Sequence, residues 1–124
     1  MSEKLSLLLA LSALCVVTPA RAAEPPKKTP QLLEKGKASF NVNCATCHGP
    51  KGEGNGVAAA ALKPKPRNFA TEEFKHGSKA PEVFDTLAKG LPGTAMIAYR
   101  HLSEEERWAL AYYVVDLHES AKNH

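Results

Sequence analysis

The sequence predicts an all-α domain made of short helices and long loops. No segment shows the alternation of apolar and polar residues that is typical of a half-buried strand. The clearest helix starts at Ser103, a favourable N-cap residue, and Glu106 three residues later would complete a capping box. Glycine and proline are concentrated between residues 49 and 67, which indicates a long loop. With 124 residues, the chain is long enough for one domain.

Each earlier helix also has a local start signal. Thr29 is a favourable N-cap, and Pro30 takes the first helical position, where the missing proline N–H costs nothing. One helical turn is predicted at residues 58–62. Two short helices are predicted after it, one over residues 71–77 that begins with a capping threonine, and one over residues 81–89 that ends before a glycine.

The first 22 residues are expected to form a signal peptide that is removed. Residues 5–17 form an apolar run, shorter than the roughly 20 residues that a membrane crossing needs, and an AxA cleavage pattern ends at Ala22. An uncleaved signal anchor is the alternative. Cleavage after Ala22 also removes Cys15, which leaves one cysteine pair in the mature chain. Residues 23–29, rich in proline and lysine, are expected to form a flexible leader.

The remaining cysteine pair belongs to the most informative motif of the chain. Residues 44–48 read Cys-Ala-Thr-Cys-His, the CxxCH pattern by which haem is attached covalently. Cys44 and Cys47 share one turn, so both thiols can reach the two vinyl groups of one porphyrin, and His48 would then ligate the iron. A disulfide framework or a structural zinc site needs more cysteines, and a thioredoxin-like motif needs a βαβ pattern. The motif therefore predicts one covalent haem c.

A second iron ligand is expected, because a filled sixth position suits an electron carrier. Met96 is the only methionine outside the predicted signal peptide, and it lies in a glycine-containing loop before the last helix. It is the predicted sixth ligand. His76 is the rival candidate. The other histidines are expected at the surface, and they are His101, His118 and His124.

The chain has a formal net charge of +3, with most basic residues in its first two thirds. The simplest interpretation is a solvated surface of mixed charge. A functional interpretation is a basic rim that steers the chain to redox partners with acidic docking surfaces. No aromatic residues are interleaved with the lysines, so no nucleic-acid surface is expected.

Residues 30–118 resemble a class I c-type cytochrome of the bacterial periplasmic kind. The matching features are small and aromatic residues in the first and last helices, the haem-attachment segment, and the loop before the last helix. In this sequence they are Gly36, Phe40, Cys44, Cys47, His48, Gly49, Leu91 to Met96, Trp108 and Tyr112. The resemblance implies the cytochrome c fold over residues 30–121, in which the first and last helices cross, with small and aromatic residues at their contact. It also implies His/Met ligation of the iron.

Two further expectations come from the same resemblance. Relatives often have Gly-Pro after the glycine-rich loop, and the proline carbonyl accepts the Nδ1 proton of the iron-ligating histidine. Here the pair is Gly56 and Val57, whose carbonyls are expected to serve instead. Arg67 resembles a position near the haem propionates, where a guanidinium would pair with a carboxylate.

The motif and the resemblance together predict a periplasmic monohaem electron carrier that shuttles single electrons between redox proteins and is not itself an enzyme. It is expected to be a monomer with no membrane span after signal cleavage. Two alternatives remain open at this point: a haem subunit of a larger oxidoreductase, and a gas-binding cytochrome with an open sixth site.

Overall fold

The computed structural model describes residues 24–124, and this part of the chain is all-α without strands, which confirms the predicted fold class. Four α-helices follow one another, with a 3₁₀ turn at Ala59–Ala61: α1 is Pro30–Asn43, α2 is Ala45–His48, α3 is Ala80–Lys89 and α4 is Glu104–Lys122. The predicted signal peptide and its cleavage site after Ala22 lie outside the described residues. None of the helices in the described part is long and apolar enough to cross a membrane.

The start of α1 follows the predicted capping. The Thr29 hydroxyl accepts a hydrogen bond from the Leu32 N–H at 3.2 Å, and Pro30 is the first helical residue. The helix buries Leu32 and Phe40 and ends at Asn43, immediately before the cysteine motif. Because this face of α1 is buried, the position of the helix determines where the cysteine motif begins.

The start of α4 differs in part from the predicted capping box. The Ser103 hydroxyl accepts a hydrogen bond from the Glu106 N–H at 3.1 Å, as predicted. The Glu106 carboxylate, however, accepts a hydrogen bond from the hydroxyl of Ser39 in α1 at 2.7 Å. The predicted second bond of the capping box, from the Ser103 N–H to the Glu106 carboxylate, was therefore wrong. The carboxylate accepts from the buried hydroxyl of the neighbouring helix instead.

The helices α1 and α4 cross in close backbone contact. A Cβ atom built on Gly36 would lie 2.1 Å from the carbonyl oxygen of Ala109 and 3.0 Å from Cβ of Tyr113. Beside this point, the rings of Phe40 and Tyr113 lie 5.3 Å apart and tilted by 59°. Gly36 and Phe40 thus lie where the resemblance implied.

The aromatic residues implied for α4 at this crossing were the wrong ones. Trp108 stacks instead on Phe84 of α3, with centroids 4.1 Å apart and planes within 13°. The hydroxyl of Tyr112 donates to the carbonyl of Pro26 at 2.7 Å. Successive helical residues point about 100° apart, so a shift of one position moves an aromatic ring to another face of the helix. Ala109 and Tyr113 therefore take the places expected of Trp108 and Tyr112.

The predicted helix over residues 71–77 is absent. The chain forms a turn near Asn68 instead. The side-chain oxygen of Asn68 accepts a hydrogen bond from the Ala70 N–H at 2.9 Å. The Glu72 carboxylate accepts from the N–H of Asn68 at 2.6 Å, so it does not support a helix start at Thr71. These local side-chain bonds compete with helix formation.

The helix α3 begins at Ala80, one residue before the predicted start, and ends before Gly90 as predicted. It buries Val83 and Leu87 against α4 and the core. The core contains residues from α1, α3, α4 and the loop between α2 and α3: Phe40, Cys44, Phe69, Val83, Leu87, Leu110, Ala111, Val114 and Val115.

Candidate haem site

One cleft contains all the residues that the sequence predicted for the site. It has a volume of about 290 Å³ and lies beside the core, between the cysteine motif, the loop after it and the loop before α4. The predicted site residues along its wall are Cys44, Cys47, His48, Arg67 and Met96. Much of the remaining wall is apolar, including Leu62, Phe69, Val83, Leu91 and Val114.

The cysteines are held at the junction of α1 and α2. The N–H of Cys44 donates to the Phe40 carbonyl at 2.9 Å, which continues the bonding of α1, and the His48 N–H donates to the Cys44 carbonyl at 2.8 Å. Both Cys44 and Cys47 are free thiols. Burial, followed by the neighbouring Cys47, raises the pKa of Cys44 to about 12, so this group stays a neutral thiol at neutral pH.

The imidazole of His48 is oriented by the loop between α2 and α3. Its Nδ1 lies 3.1 Å from the carbonyl oxygen of Arg67, and its ring stacks on Phe69 with centroids 4.5 Å apart and planes within 19°. A carbonyl can only accept, so Nδ1 carries the proton and Nε2 keeps its lone pair. Burial lowers the pKa of His48, which favours the neutral ring that a metal requires.

The expected acceptor for this imidazole was therefore wrong. Gly56 instead lets the loop pack against α2, since its N–H donates to the Cys47 carbonyl at 3.1 Å and a Cβ atom there would lie 2.2 Å from the carbonyl oxygen of Thr46. Val57 is 93% exposed. The loop needs a glycine at this close approach, while its later residue Arg67 supplies the acceptor.

Met96 is half-buried, and its loop is closed by its own hydrogen bonds. The Leu91 N–H donates to the Met96 carbonyl at 3.0 Å, and the Met96 N–H donates to the Thr94 hydroxyl at 3.1 Å. Tyr99 ties the loop to the rest of the site, since its N–H donates to the Leu87 carbonyl at 2.8 Å and its hydroxyl donates to the Asn43 carbonyl at 3.1 Å. Met96 packs against the core, as a thioether directed into an apolar cleft should.

The rival candidate His76 also lines the cleft, but it is exposed at the mouth. His101 and His124 are exposed, as predicted. Arg67 reaches the cleft too, and its guanidinium donates to the Glu73 carbonyl at 2.5 Å. Its backbone carbonyl and its side chain thus have separate partners.

His118 was predicted at the surface, and this was wrong. Its side chain is only 3% exposed, and its Nδ1 lies 2.6 Å from the carbonyl oxygen of Phe69. The sequence does contain a signal, because His118 lies three and four positions after Val115 and Val114 and so continues the apolar face of α4. The position of His118 near a helix C-terminus predicted a solvated cation there, but packing against residues distant in the sequence buries the side chain.

The chemistry of the cleft fits a haem. Two free thiols lie one turn apart, an imidazole is oriented through Nδ1 with Nε2 available, and a thioether lies on the same apolar wall. These are the groups that c-type haem attachment and His/Met ligation require. Among the described residues, the charged ones along the cleft are all basic, namely Lys65, Arg67 and Lys75.

Comparison with known proteins agrees with this chemistry. The family model described as Cytochrome c matches residues 33–118, and the chain belongs to the cytochrome c family. The family binds haem c with its iron and transfers electrons through it. Cytochrome c domains are commonly exported.

A solved structure is also similar. A chain of the Kuenenia stuttgartiensis reducing HAO-like protein complex Kustc0457/Kustc0458 is 33% identical, with a TM-score of 0.70. The match covers 76% of this chain and 47% of that one, so this chain spans about half the length of its neighbour. No curated protein matches the chain.

Proposed function

We propose that the chain is a periplasmic monohaem electron carrier, with one haem c attached through Cys44 and Cys47 and its iron ligated by His48 and Met96. The observation that carries this proposal is that all four side chains line one cleft. When bound, haem supplies an iron that takes up and releases single electrons. The chain shuttles these electrons between redox proteins and is not itself an enzyme.

The chain's own residues hold and tune the group. Cys44 and Cys47 would hold the haem covalently, and the Arg67 carbonyl fixes the orientation and tautomer of His48. Phe69 covers one face of that imidazole and excludes water from it. The imidazole therefore needs little rearrangement when the iron changes its oxidation state.

Met96 is the better sixth ligand than His76. It is half-buried and packs on the core, whereas His76 is exposed at the mouth of the cleft. A thioether ligand favours reduced iron and raises the reduction potential. Occupation of the sixth position by Met96 also disfavours the gas-binding alternative.

Export to the periplasm is supported by the pattern of residues 1–22 and by the common export of cytochrome c domains. The partner is proposed to carry acidic docking groups. Lys65 and Lys75 are exposed on the rim of the cleft, which contains no acidic residue among those described along its wall. A rim of one sign steers an oppositely charged partner toward the site.

The experiment that tests this proposal compares Met96→Ala with Ile97→Ala in the haem-loaded protein. Ile97 is 62% exposed, so it controls for a change of side chain in the same loop. Met96→Ala is expected to lose the weak red absorption band of the iron–methionine bond, to lower the midpoint potential and to bind carbon monoxide. Ile97→Ala is expected to keep all three properties of the unmutated protein.

The same measurements identify the rival ligand. If Met96→Ala keeps the spectrum and potential while His76→Ala changes them, the ligand assignment is wrong. Carbon monoxide binding by the unmutated reduced protein would support the open sixth site instead.

A second candidate function is a haem subunit of a larger oxidoreductase. It is favoured by the solved structure that resembles this chain, because that structure is a protein complex. Purification from the native host distinguishes the two functions. A free carrier elutes as a monomer, whereas a subunit elutes with a partner that remains bound at micromolar concentration.

A further inference from the structure

Two histidines that are 70 residues apart in the sequence donate to the same short loop segment. His48 Nδ1 lies 3.1 Å from the carbonyl oxygen of Arg67, and His118 Nδ1 lies 2.6 Å from that of Phe69. Since carbonyls only accept, both rings carry their proton on Nδ1. One histidine belongs to the haem motif, and the other belongs to the last helix. The segment 67–69 therefore links them.

The segment 67–69 has no helix or strand of its own, so individual bonds fix its position. The Phe69 N–H donates to the Gly52 carbonyl at 2.7 Å, and the Phe69 carbonyl accepts from His118. His118 is almost fully buried, at 3% exposure, so this hydrogen bond is shielded from water. Loss of the His118 donor would leave the Phe69 carbonyl free to turn.

Ring packing couples the same residues a second time. His118 lies 4.6 Å from Phe74, Phe74 lies 5.3 Å from Phe69, and Phe69 stacks on His48 at 4.5 Å, all measured between centroids. A change at His118 therefore reaches His48 both through the backbone of residues 67–69 and through the intervening rings. Neither route requires contact between His118 and the cleft.

We propose that His118 is a positioning residue for the iron-ligating imidazole: its hydrogen bond to Phe69 holds the segment 67–69 so that the Arg67 carbonyl accepts the Nδ1 proton of His48. This inference rests on the proposed ligation by His48. A well-placed acceptor raises the basicity of a ligating imidazole and stabilises oxidised iron. Weakening that acceptor favours reduced iron, so loss of the His118 donor shifts the midpoint potential upward.

The test uses three substitutions of His118 in the haem-loaded protein. His118→Asn keeps a donor near the position of Nδ1, His118→Gln moves the donor one bond farther, and His118→Leu removes it. Lys122→Gln is the matched control, because it breaks the ion pair of α4 with Glu73, 2.9 Å long, without touching Phe69. The readouts are the midpoint potential and the NMR signal of the His48 Nδ1 proton.

The expected result is an upward shift of the potential for His118→Leu and His118→Gln, with faster solvent exchange of the His48 Nδ1 proton. His118→Asn and Lys122→Gln are expected to keep the unmutated potential. If His118→Leu does not fold, the comparison of Asn with Gln decides alone. Equal potentials in Asn and Gln, or a downward shift in Leu, would overturn the inference.

These outcomes are separate from failure of the proposed function. If the unmutated protein shows no haem spectrum or redox couple, the proposed function fails before any variant is compared. If it shows both and the His118 variants keep its potential while losing thermal stability, His118 is a core residue only.

Discussion

Gly36 of α1 lies directly against the backbone of Ala109 in α4, so closely that a Cβ atom on Gly36 would stand 2.1 Å from the Ala109 carbonyl oxygen. The atom in the way belongs to helix backbone, which cannot turn aside as a flexible side chain can. The contact sets the distance between the two helices, and these helices carry Phe40, Leu110 and Val114 into the core.

Gly36→Ala is therefore expected to destabilise the haem-loaded protein by about 1–3 kcal/mol, the usual cost of overpacking. Helix propensity alone would stabilise the variant by about 1 kcal/mol, so the sign of the change separates the two effects. Denaturant unfolding measures it, with the exposed neighbour Lys37→Ala as control. If the variant were as stable as the unmutated protein, the two helices would be able to move apart without a decrease in the free energy of unfolding.

Ser39 and Glu106 form a second link across the same crossing. The buried Ser39 hydroxyl donates to the Glu106 carboxylate at 2.7 Å. Hydrogen bonds to charged groups contribute more than neutral ones, but the carboxylate is half-exposed, so we expect a coupling energy of about 1 kcal/mol. A double-mutant cycle of Ser39→Ala and Glu106→Ala measures it. Strictly additive losses would show that the two groups do not interact in solution.

Local signals in the sequence predicted the starts of α1 and α4 correctly. Thr29 and Ser103 cap α1 and α4, and each cap depends on a residue three positions away. The loop containing Met96 was also predicted, because it needs only glycine and small residues nearby. Each of these features is determined within one turn of the chain.

Long-range contacts account for what the sequence did not predict. The burial of His118 depends on Phe69, 49 residues away, and the acceptor for His48 is Arg67, 19 residues away. The absent helix at 71–77 is the exception, since local bonds to the side chains of Asn68 and Glu72 replace the helix there. No pattern within one segment of the sequence indicates which distant carbonyl will accept a hydrogen bond from a histidine.

Tyr99 joins the loop of Met96 to the end of α1. Removal of its hydroxyl is expected to lower the free energy of unfolding by an amount that depends on pH. Its hydroxyl donates to the Asn43 carbonyl at 3.1 Å, so Tyr99→Phe is expected to cost about 1 kcal/mol at neutral pH. Burial raises the pKa of Tyr99 above its ordinary value of 10.0.

The sign of the pH dependence follows from this shift. The folded protein holds the phenol proton more tightly than the unfolded chain, so this contribution is complete below pH 10.0 and is lost as the pH rises through the raised pKa. The free energies of unfolding of the unmutated protein and Tyr99→Phe should therefore converge above pH 10.0. A difference that stays constant up to about pH 11 would contradict burial of the hydroxyl.

Arg67 offers two groups to the site, and substitution separates them. Arg67→Gln removes the guanidinium, which donates to the Glu73 carbonyl at 2.5 Å, but leaves the backbone carbonyl that accepts from His48. If the guanidinium pairs with a haem propionate, its removal leaves that negative charge uncompensated and favours oxidised iron. The midpoint potential is then expected to fall.

This downward shift is opposite in sign to the one expected for His118→Leu, although both changes act on the segment 67–69. Lys65→Gln removes the same charge from an exposed position on the same rim, where solvent screens it, so its shift should be smaller. Potentials measured at low and high salt check this, because a close pair with Arg67 persists in salt while the effect of Lys65 fades. An upward shift in Arg67→Gln would mean that its side chain acts through Glu73 to hold the loop, and the propionate assignment would then be wrong.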